Sequence, residues 1–593
     1  MYMNVYNLDI LNFLNNNDYI SQRNLAEESG YSLGKVNESL KDLISEGYLT
    51  EDHQLTDKAK ERIQENKPKH AVILAAGYGM RMVPINFEQP KGLLNVNGEP
   101  IIERLIKQLH EVGVYDIDIV VGFLKEKFDY LIDKYNVKLI YNPFYAQKNN
   151  LHSLSLVADK LENSYILPSD IWIEENPFSK SELYSWYLLN DEIDKESVAK
   201  LNRQKEIVQT RENDGQGMIG VAYLTKKDAV KLRANLGEMT PKEDNDQLFW
   251  EEAFFNGPEP IKVFGKEYSA SKAFEINTYE QLRDLDEKSD NLNTEIIHLI
   301  ADEMNVEIAD IHDIEVMKKG MTNRSFIFTV NNKRYIMRVP GEGTDELIDR
   351  ENEYEVYQTI KDLEISDEVV YMSKTRGYKI TTYIENSRNC DGFNWEEVEA
   401  CLDVLKEFHA QKLQVDHDFD LLEKIEFYES LWEGQPSMFR DYRETKEKVL
   451  ELLAMVEDMP KEWALTHMDP NPDNFLMTEN TISLIDWEYA SMQDQHVDIA
   501  MFVIYTMYNR EEVDQLIDIY FEGNCEPLTR IKIYAYIAIS GLLWSNWCEF
   551  KHQQGVEFGE YSLMQYRYAK DYYKIVQEEL TKLDATEGKG MKQ

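Results

Sequence analysis

Three patterns of apolar and polar positions follow one another along this chain. Near its start, Val36, Leu40, Leu43 and Ile44 recur at helical spacing within YSLGKVNESLKDLISEGYL, one apolar stripe on an otherwise polar segment. NLAEESG precedes it, Gly30 and Ser32 mark a turn and a helix start, and TEDHQLT reads as a hairpin. ENKPK (65–69) is a polar linker. From His70 the pattern becomes short apolar runs (HAVILAAG, DIDIVVG, VKLIYN, SYILPSD) separated by amphipathic helices such as EPIIERLIKQLHEVGV. Strands alternating with helices predict a doubly wound sheet of parallel strands. The charged, turn-rich DLDEKSDNLN (284–293) marks a second boundary. Beyond it EVMKKGMTNRSFIFTVNNKRYIMRVPG predicts a hairpin, and a long helical region follows. The expected segments are therefore 1–66, 67–288 and 292–593. The expected class is multidomain α/β and α+β.

Charge and composition narrow the picture. The 593 residues carry a formal net charge of -45, which repels polyphosphate backbones and makes nucleic acid an unlikely partner. Residues 1–66 resemble a winged helix-turn-helix. Yet the segment expected to enter a DNA groove, 33–46, holds only Lys35 and Lys41, beside Glu38, Asp42 and Glu46. Duplex recognition needs a basic footprint, so docking, homodimer formation or regulation is expected of this module. Four scattered cysteines (Cys390, Cys401, Cys525, Cys548) suggest neither a disulfide framework nor a zinc site. The first residues lack a basic region followed by an apolar run, so they do not read as a signal peptide. The longest apolar stretch, IYAYIAISGLLW (533–544), falls short of the ~18 residues a membrane span needs and reads as a buried helix. A cytoplasmic protein without a membrane span is expected.

The first chemical signal is AVILAAGYGMRMVPINFEQPKGLLNVNGEPIIERLI (71–106). An apolar strand runs into Gly77 and Gly79, which let backbone N–H groups approach phosphates. Arg81 follows, and Lys91 lies ten residues further on. Fixed cations and a ring of amides suit a triphosphate attacked at its α-phosphorus. Asp170 ends another apolar strand, where ligands of open α/β sheets sit, and can hold Mg²⁺.

L-A-A-G-x-G-x-R, P-K-x-L and G-x-P-I-I-E resemble the sugar-nucleotide pyrophosphorylase superfamily, and most of all the bacterial phosphocholine cytidylyltransferases, over about residues 69–285. The resemblance implies that Ala75, Gly77, Gly79 and Arg81 hold the nucleotide. It implies that Lys91, with Arg81, offsets transition-state charge, and that Asn277 in EINTYEQL is the second metal ligand. Trp250 and Glu251 stand where the family has an aromatic–acid pair for the quaternary ammonium. A further Trp of the closest relatives has no counterpart here, where the chain reads ESVAKLN.

The second signal is ALTHMDPNPDNFLMTENTISLIDWEYASMQDQHVDIA. Asp469 precedes Asn474 by five residues, and Asp486 follows at the end of a strand. Phosphoryl transfer needs one carboxylate to accept the hydroxyl proton and an Asn–Asp pair to hold Mg²⁺ on ATP, in this order. H-x-D-x-x-x-x-N with I-D-W-E resembles the choline/aminoglycoside kinase family over about residues 295–580, which implies a two-lobed protein-kinase-like fold. The resemblance places a phosphate-binding turn at GMTNRSF, with Asn323 and Ser325. It sets Arg338 in the place of the strand lysine and Glu353 as its helix partner, with Glu351 a near alternative. Trp544 and Trp547 share one helix face as a W-x-x-W pair. The resemblance makes them a box for trimethylammonium, with Glu488, Tyr489 and Tyr566 as further pocket residues.

One half thus reads as a kinase for an amino alcohol and the other as an enzyme consuming its phosphate. The expected activity is ATP-dependent phosphorylation of choline, then transfer of CMP from CTP to phosphocholine, with Mg²⁺ as cofactor. Ethanolamine or an aminoalkylphosphonate could replace choline. A ligand-sensing transcriptional regulator is the other alternative, against which Lys91, Asp170, Asp469, Asn474 and Asp486 all count.

Overall fold

The computed structural model describes residues 3–195, 197–210, 214–317, 323–341, 347–554 and 556–590. They form two compact units, Met1–Val316 and Met317–Gln593.

The first unit begins with helices Val5–Asn16, Gln22–Ser29, Leu33–Ser45 and Asp57–Glu65. Each starts at a polar side chain (Asn4, Ser21, Ser32, Thr56) that accepts the backbone N–H three residues on. Such caps contribute ~1 kcal/mol each. Leu8, Leu11, Leu25, Val36, Leu40 and Leu43 close one core, joined by Leu183 from beyond the linker. An isolated bridge between Leu49 and Leu55 forms the wing.

A seven-stranded sheet follows, in the order Phe264–Tyr268, Trp186–Asp194, Gly215–Leu224, Ser164–Pro168, His70–Ala75, Asp116–Val121, Lys138–Tyr141. The strand His70–Ala75 is buried along its whole length, with Val72 opposite Asp118 on one side and Ile166 on the other, both parallel. Covering on both faces is what makes its sequence a continuous apolar run rather than an alternating one. Helix Ile101–Glu111 turns Ile101, Ile102, Leu105, Ile106 and Leu109 inward. The sheet is mixed rather than wholly parallel. Gly215–Leu224 runs antiparallel to both of its neighbours, because the chain returns there through a hairpin instead of a helical crossover.

In the second unit, Asn323–Val330, Lys333–Pro340, Lys379–Thr382 and Val369–Met372 pair antiparallel in that order, beside helix Arg350–Ile360. A helical body follows. Its centre is Pro527–Gln553, whose residues 531–549 are buried on every side, as expected for the apolar stretch 533–544. Among the described residues, no helix is long and apolar enough to cross a membrane.

Candidate active sites

In the first unit, the carboxyl ends of the central strands open on a cavity of ≈910 Å³. Ala75, Gly77, Gly79, Arg81, Lys91, Asp170 and Asn277 all line it. Gly79 has φ +60°, and a Cβ there would lie 2.9 Å from Lys91 Cγ. Glycine is therefore required twice over, for the turn and for the lysine lying across it. Lys91 Nζ donates to Asp170 Oδ2 at 3.2 Å and to Asn277 Oδ1 at 2.6 Å. Asp170 and Asn277, 79 and 186 positions from Lys91 along the chain, thus converge on one cation only after folding.

Glu251 lines the same cavity. Its Oε1 accepts from the Tyr187 hydroxyl at 3.0 Å, and its Oε2 is buried without a hydrogen-bond partner. Burial pushes its carboxyl up to about 7. Trp250 takes another place. It is 1% exposed and packs in the core against Phe254 and Tyr187, ring centres 5.0 and 6.0 Å away. Its backbone N–H is fixed by Asn150 at 2.7 Å, which turns the indole inward. The aromatic residues lining the cavity beyond the nucleotide turn are Tyr145, Tyr187, Phe249 and Phe255.

In the second unit, Asn474 Nδ2 donates to Asp469 O at 2.8 Å and Oδ2 at 3.1 Å, and Asn471 Nδ2 reaches Asp469 Oδ1 at 3.0 Å. Burial pushes the Asp469 carboxyl up to about 7, and burial likewise raises that of Asp486. Met468 (φ +65°) and Asp486 (φ +68°) both sit in the left-handed region, which costs non-glycine residues of order 1–3 kcal/mol each. Asp498 offsets part of that cost. It accepts the N–H groups of His467 and Met468 at 2.9 and 2.8 Å and meets His409 Nε2 at 2.8 Å.

Arg338 is enclosed and doubly hydrogen-bonded to Glu353, through NH1 and, at 2.9 Å, through NH2. Arg350 donates to the same carboxylate at 3.0 Å, and Glu488 Oε2 faces Arg338 at 4.0 Å and Arg350 at 3.8 Å. Burial opposes ionisation of Glu353, yet Arg338, Lys379 and Arg350 hold its carboxyl down at about 2. Glu351 instead pairs with Lys374 at 3.3 Å on the surface. Ser325 stands opposite Arg338 in the hairpin register. Of the expected phosphate-binding turn, residues 320–322 and the side chain of Asn323 lie outside the described residues.

Trp544 and Trp547 meet edge to face at 5.5 Å. Tyr489 and Tyr505 pack on Trp544 at 5.8 and 5.6 Å, and Phe558 packs on Trp547 at 5.1 Å. Tyr505 also stands beside the Asp469 carboxylate, near enough to favour its charged form. Tyr566 is not part of this cluster. It stacks on Phe439 at 3.8 Å and bonds Asp441 and Thr445, each at 2.8 Å. Tyr561, on another face of the same helix, lies 6.4 Å from Tyr505.

Three family models match the chain. A winged helix-turn-helix DNA-binding model covers residues 3–50, a MobA-like NTP transferase domain 71–173, and choline/ethanolamine kinase 314–522. Over 227 residues the chain is 32% identical to the choline-phosphate cytidylyltransferase of Streptococcus pneumoniae, spanning 38% of this chain and 99% of that one. This chain belongs to that family. The 2-aminoethylphosphonate cytidylyltransferase of Lancefieldella rimae is likewise 32% identical, over 37% of this chain and 92% of its own. Protein LicA of Haemophilus influenzae is 26% identical, over 41% of this chain and 95% of its own. The chain is thus an enzyme that fuses a winged helix, a cytidylyltransferase and a choline kinase domain.

Sequence reasoning passed over Tyr187, Tyr505, Lys379, Arg350 and Asp498. Lys379 is buried beside Tyr357, and burial, then Arg338, lowers its ammonium. The VDIA after the second motif held the signal for Asp498, and a polar residue inside an apolar run is its only trace. His70, Asp116 and Asp118 also cluster, but at the opposite ends of the strands, where Lys138 and Lys160 already pair with the two carboxylates.

Proposed function

We propose that this enzyme makes CDP-choline from choline in two steps, divided among an N-terminal module (1–66), a cytidylyltransferase (67–288) and a choline kinase (292–593). The observation that carries the reading is Tyr505, which packs on Trp544 and stands beside Asp469, so that the phosphoryl-transfer carboxylate adjoins an aromatic cluster. Aromatic faces attract a quaternary ammonium. An ammonium held by Trp544, Trp547 and Tyr489 would bring its hydroxyl to Asp469, which accepts the proton as the γ-phosphoryl group of ATP is transferred. Arg338, kept in place by Glu353 and Arg350, would orient the nucleotide's phosphates, with Ser325 on the facing strand.

In the transferase, a phosphocholine oxygen attacks the α-phosphorus of CTP and pyrophosphate leaves. Gly77 and Gly79 let backbone amides approach the phosphates, and Arg81 and Lys91 offset the charge that grows as attack proceeds. Glu251, backed by Tyr187, would face the acceptor's cationic head, with Trp250 supporting them from the core. Mg²⁺ fits both sites. Asp170 and Asn277 already share one cation, the Lys91 ammonium, and Asn474 and Asp486 supply oxygen donors beside the Asp469 carboxylate. When bound, the metal would supply charge neutralisation on the phosphates. A need for ATP and CTP would suit the cytoplasm, which supplies both.

The test is to incubate the protein with choline, ATP, CTP and Mg²⁺ and analyse the products by mass spectrometry, with ethanolamine and 2-aminoethylphosphonate in parallel. CDP-choline as the dominant product is expected. A dominant CDP-ethanolamine or CMP-aminoethylphosphonate would replace the acceptor assignment, and no nucleotide product would refute the reading.

A further inference from the structure

We infer that the winged helix is a clamp that positions the acceptor end of the transferase cavity, with Tyr31 and Lys205 as positioning residues. This rests on the cytidylyltransferase reading above and assigns the N-terminal module a part in it.

The connection runs through one hairpin, Ala199–Leu201 with Ile207–Gln209. Its base belongs to the cavity, where Ser197 and Val198 are lining residues beside Asp194 and Met218. This is the ESVAKLN segment, which lacks the expected tryptophan. Its tip belongs to the winged helix. Lys205 Nζ bonds the Tyr31 hydroxyl at 2.9 Å and lies 4.6 Å from the centre of that ring. The Tyr6 hydroxyl donates to Arg203 O at 3.2 Å. The Tyr31 hydroxyl in turn donates to Asp9, and Asp9 Oδ1 accepts from Tyr184 at 2.5 Å. Tyr184 stands just before the strand that carries Tyr187 and Asp194. Asp9 and Tyr31 therefore grip both arms of the chain that frames the acceptor side.

The turn itself points the same way. Lys205 has φ +59°, where glycine or asparagine would fit with less strain. The bond from its ammonium to Tyr31 is a gain set against that strain. Lys35 lies over Tyr6 at 4.4 Å and pairs with Glu38, so this lysine of the helix Leu33–Ser45 is engaged within the module. Burial and then Asp9 raise the Tyr31 phenol, which keeps it a neutral donor.

The test uses the full chain with Lys205→Gly, Lys205→Met and Tyr31→Phe. Lys205→Gly removes the ammonium while relieving the backbone, so a lost clamp is separated from a poorly folded protein. Hydrogen exchange across 197–209 should quicken about tenfold and the KM for phosphocholine should rise about tenfold, a loss of about 1.4 kcal/mol. The KM for CTP and the kinase rate should stay within about twofold. A purely structural role would lower the melting temperature without moving KM for one substrate. An unchanged KM for phosphocholine overturns the clamp and leaves the transferase reading intact. A wild-type protein that consumes no phosphocholine overturns that reading, and unchanged exchange across 197–209 would then overturn the clamp by itself.

Discussion

Lys91 is a cation shared between a carboxylate and an amide oxygen, and its removal leaves those oxygens without a partner and the reacting phosphates without a fixed charge. Lys91→Met should lower the cytidylyltransferase kcat by about 10²–10³-fold, or about 2.7–4 kcal/mol, with the kinase rate unchanged. Coupled assays on the one protein measure both. Asp469→Asn should do the reverse, cutting choline phosphorylation by about 10²–10⁴-fold while CMP transfer persists. Glu251 gives a pH dependence. Its carboxyl, raised by burial to about 7, is neutral below that pH and attracts a cation only above it. The KM for phosphocholine should fall as pH rises from 6 to 8, and a KM that rises over this range would remove Glu251 from the acceptor site. At this scale the sequence was most informative where function sits in short motifs. It named Lys91, Asp170, Asn277, Asp469 and Asn474, all of which the fold brings into bonded clusters. It did not tell which way a helical or turn residue faces. Trp250 and Tyr566 have the right type and spacing, yet one is drawn into the core and the other onto Phe439.

Elements carry the next level. Apolar runs revealed the strands, but not the direction of Gly215–Leu224, because direction depends on how the chain returns and not on which residues are apolar. The Glu351–Glu353 ambiguity was of the same kind. Helix Arg350–Ile360 turns only Glu353 toward the sheet, where two arginines hold it. Breaking such a buried pair strands a charge, at about 3–5 kcal/mol. Arg338→Met should therefore lower the denaturant midpoint of the second unit and raise the KM for ATP. Midpoint and KM both at wild-type values would show that Arg338 carries neither load.

At the scale of the whole chain, two activities share one polypeptide without sharing a residue. Mixing the Lys91→Met and Asp469→Asn proteins should restore CDP-choline formation from choline, since one supplies phosphocholine and the other consumes it. Failure of the mixture, with each single activity intact, would mean that the intermediate does not pass through solution. The net charge of -45 and the balanced charge of helix Leu33–Ser45, where Lys35 and Lys41 are offset by Glu38 and Asp42, make a further expectation concrete. Even at low salt, where basic contacts bind DNA most strongly, no duplex should be retained in a gel shift. Three segments were legible as separate patterns. What the winged helix touches was not, since Tyr31 and Lys205 are 174 residues apart and neither belongs to a motif.

The closed knot of Arg338, Glu353, Arg350 and Glu488 has a consequence for control. In many phosphotransferases an ion pair of this kind opens and closes as a helix swings, and the swing is the switch. Here a swing would have to break both hydrogen bonds from Arg338 to Glu353 in a buried setting, while the bond from Arg350, made within the same helix, would travel with it. Whatever moved this helix would have to supply the energy of those two buried bonds.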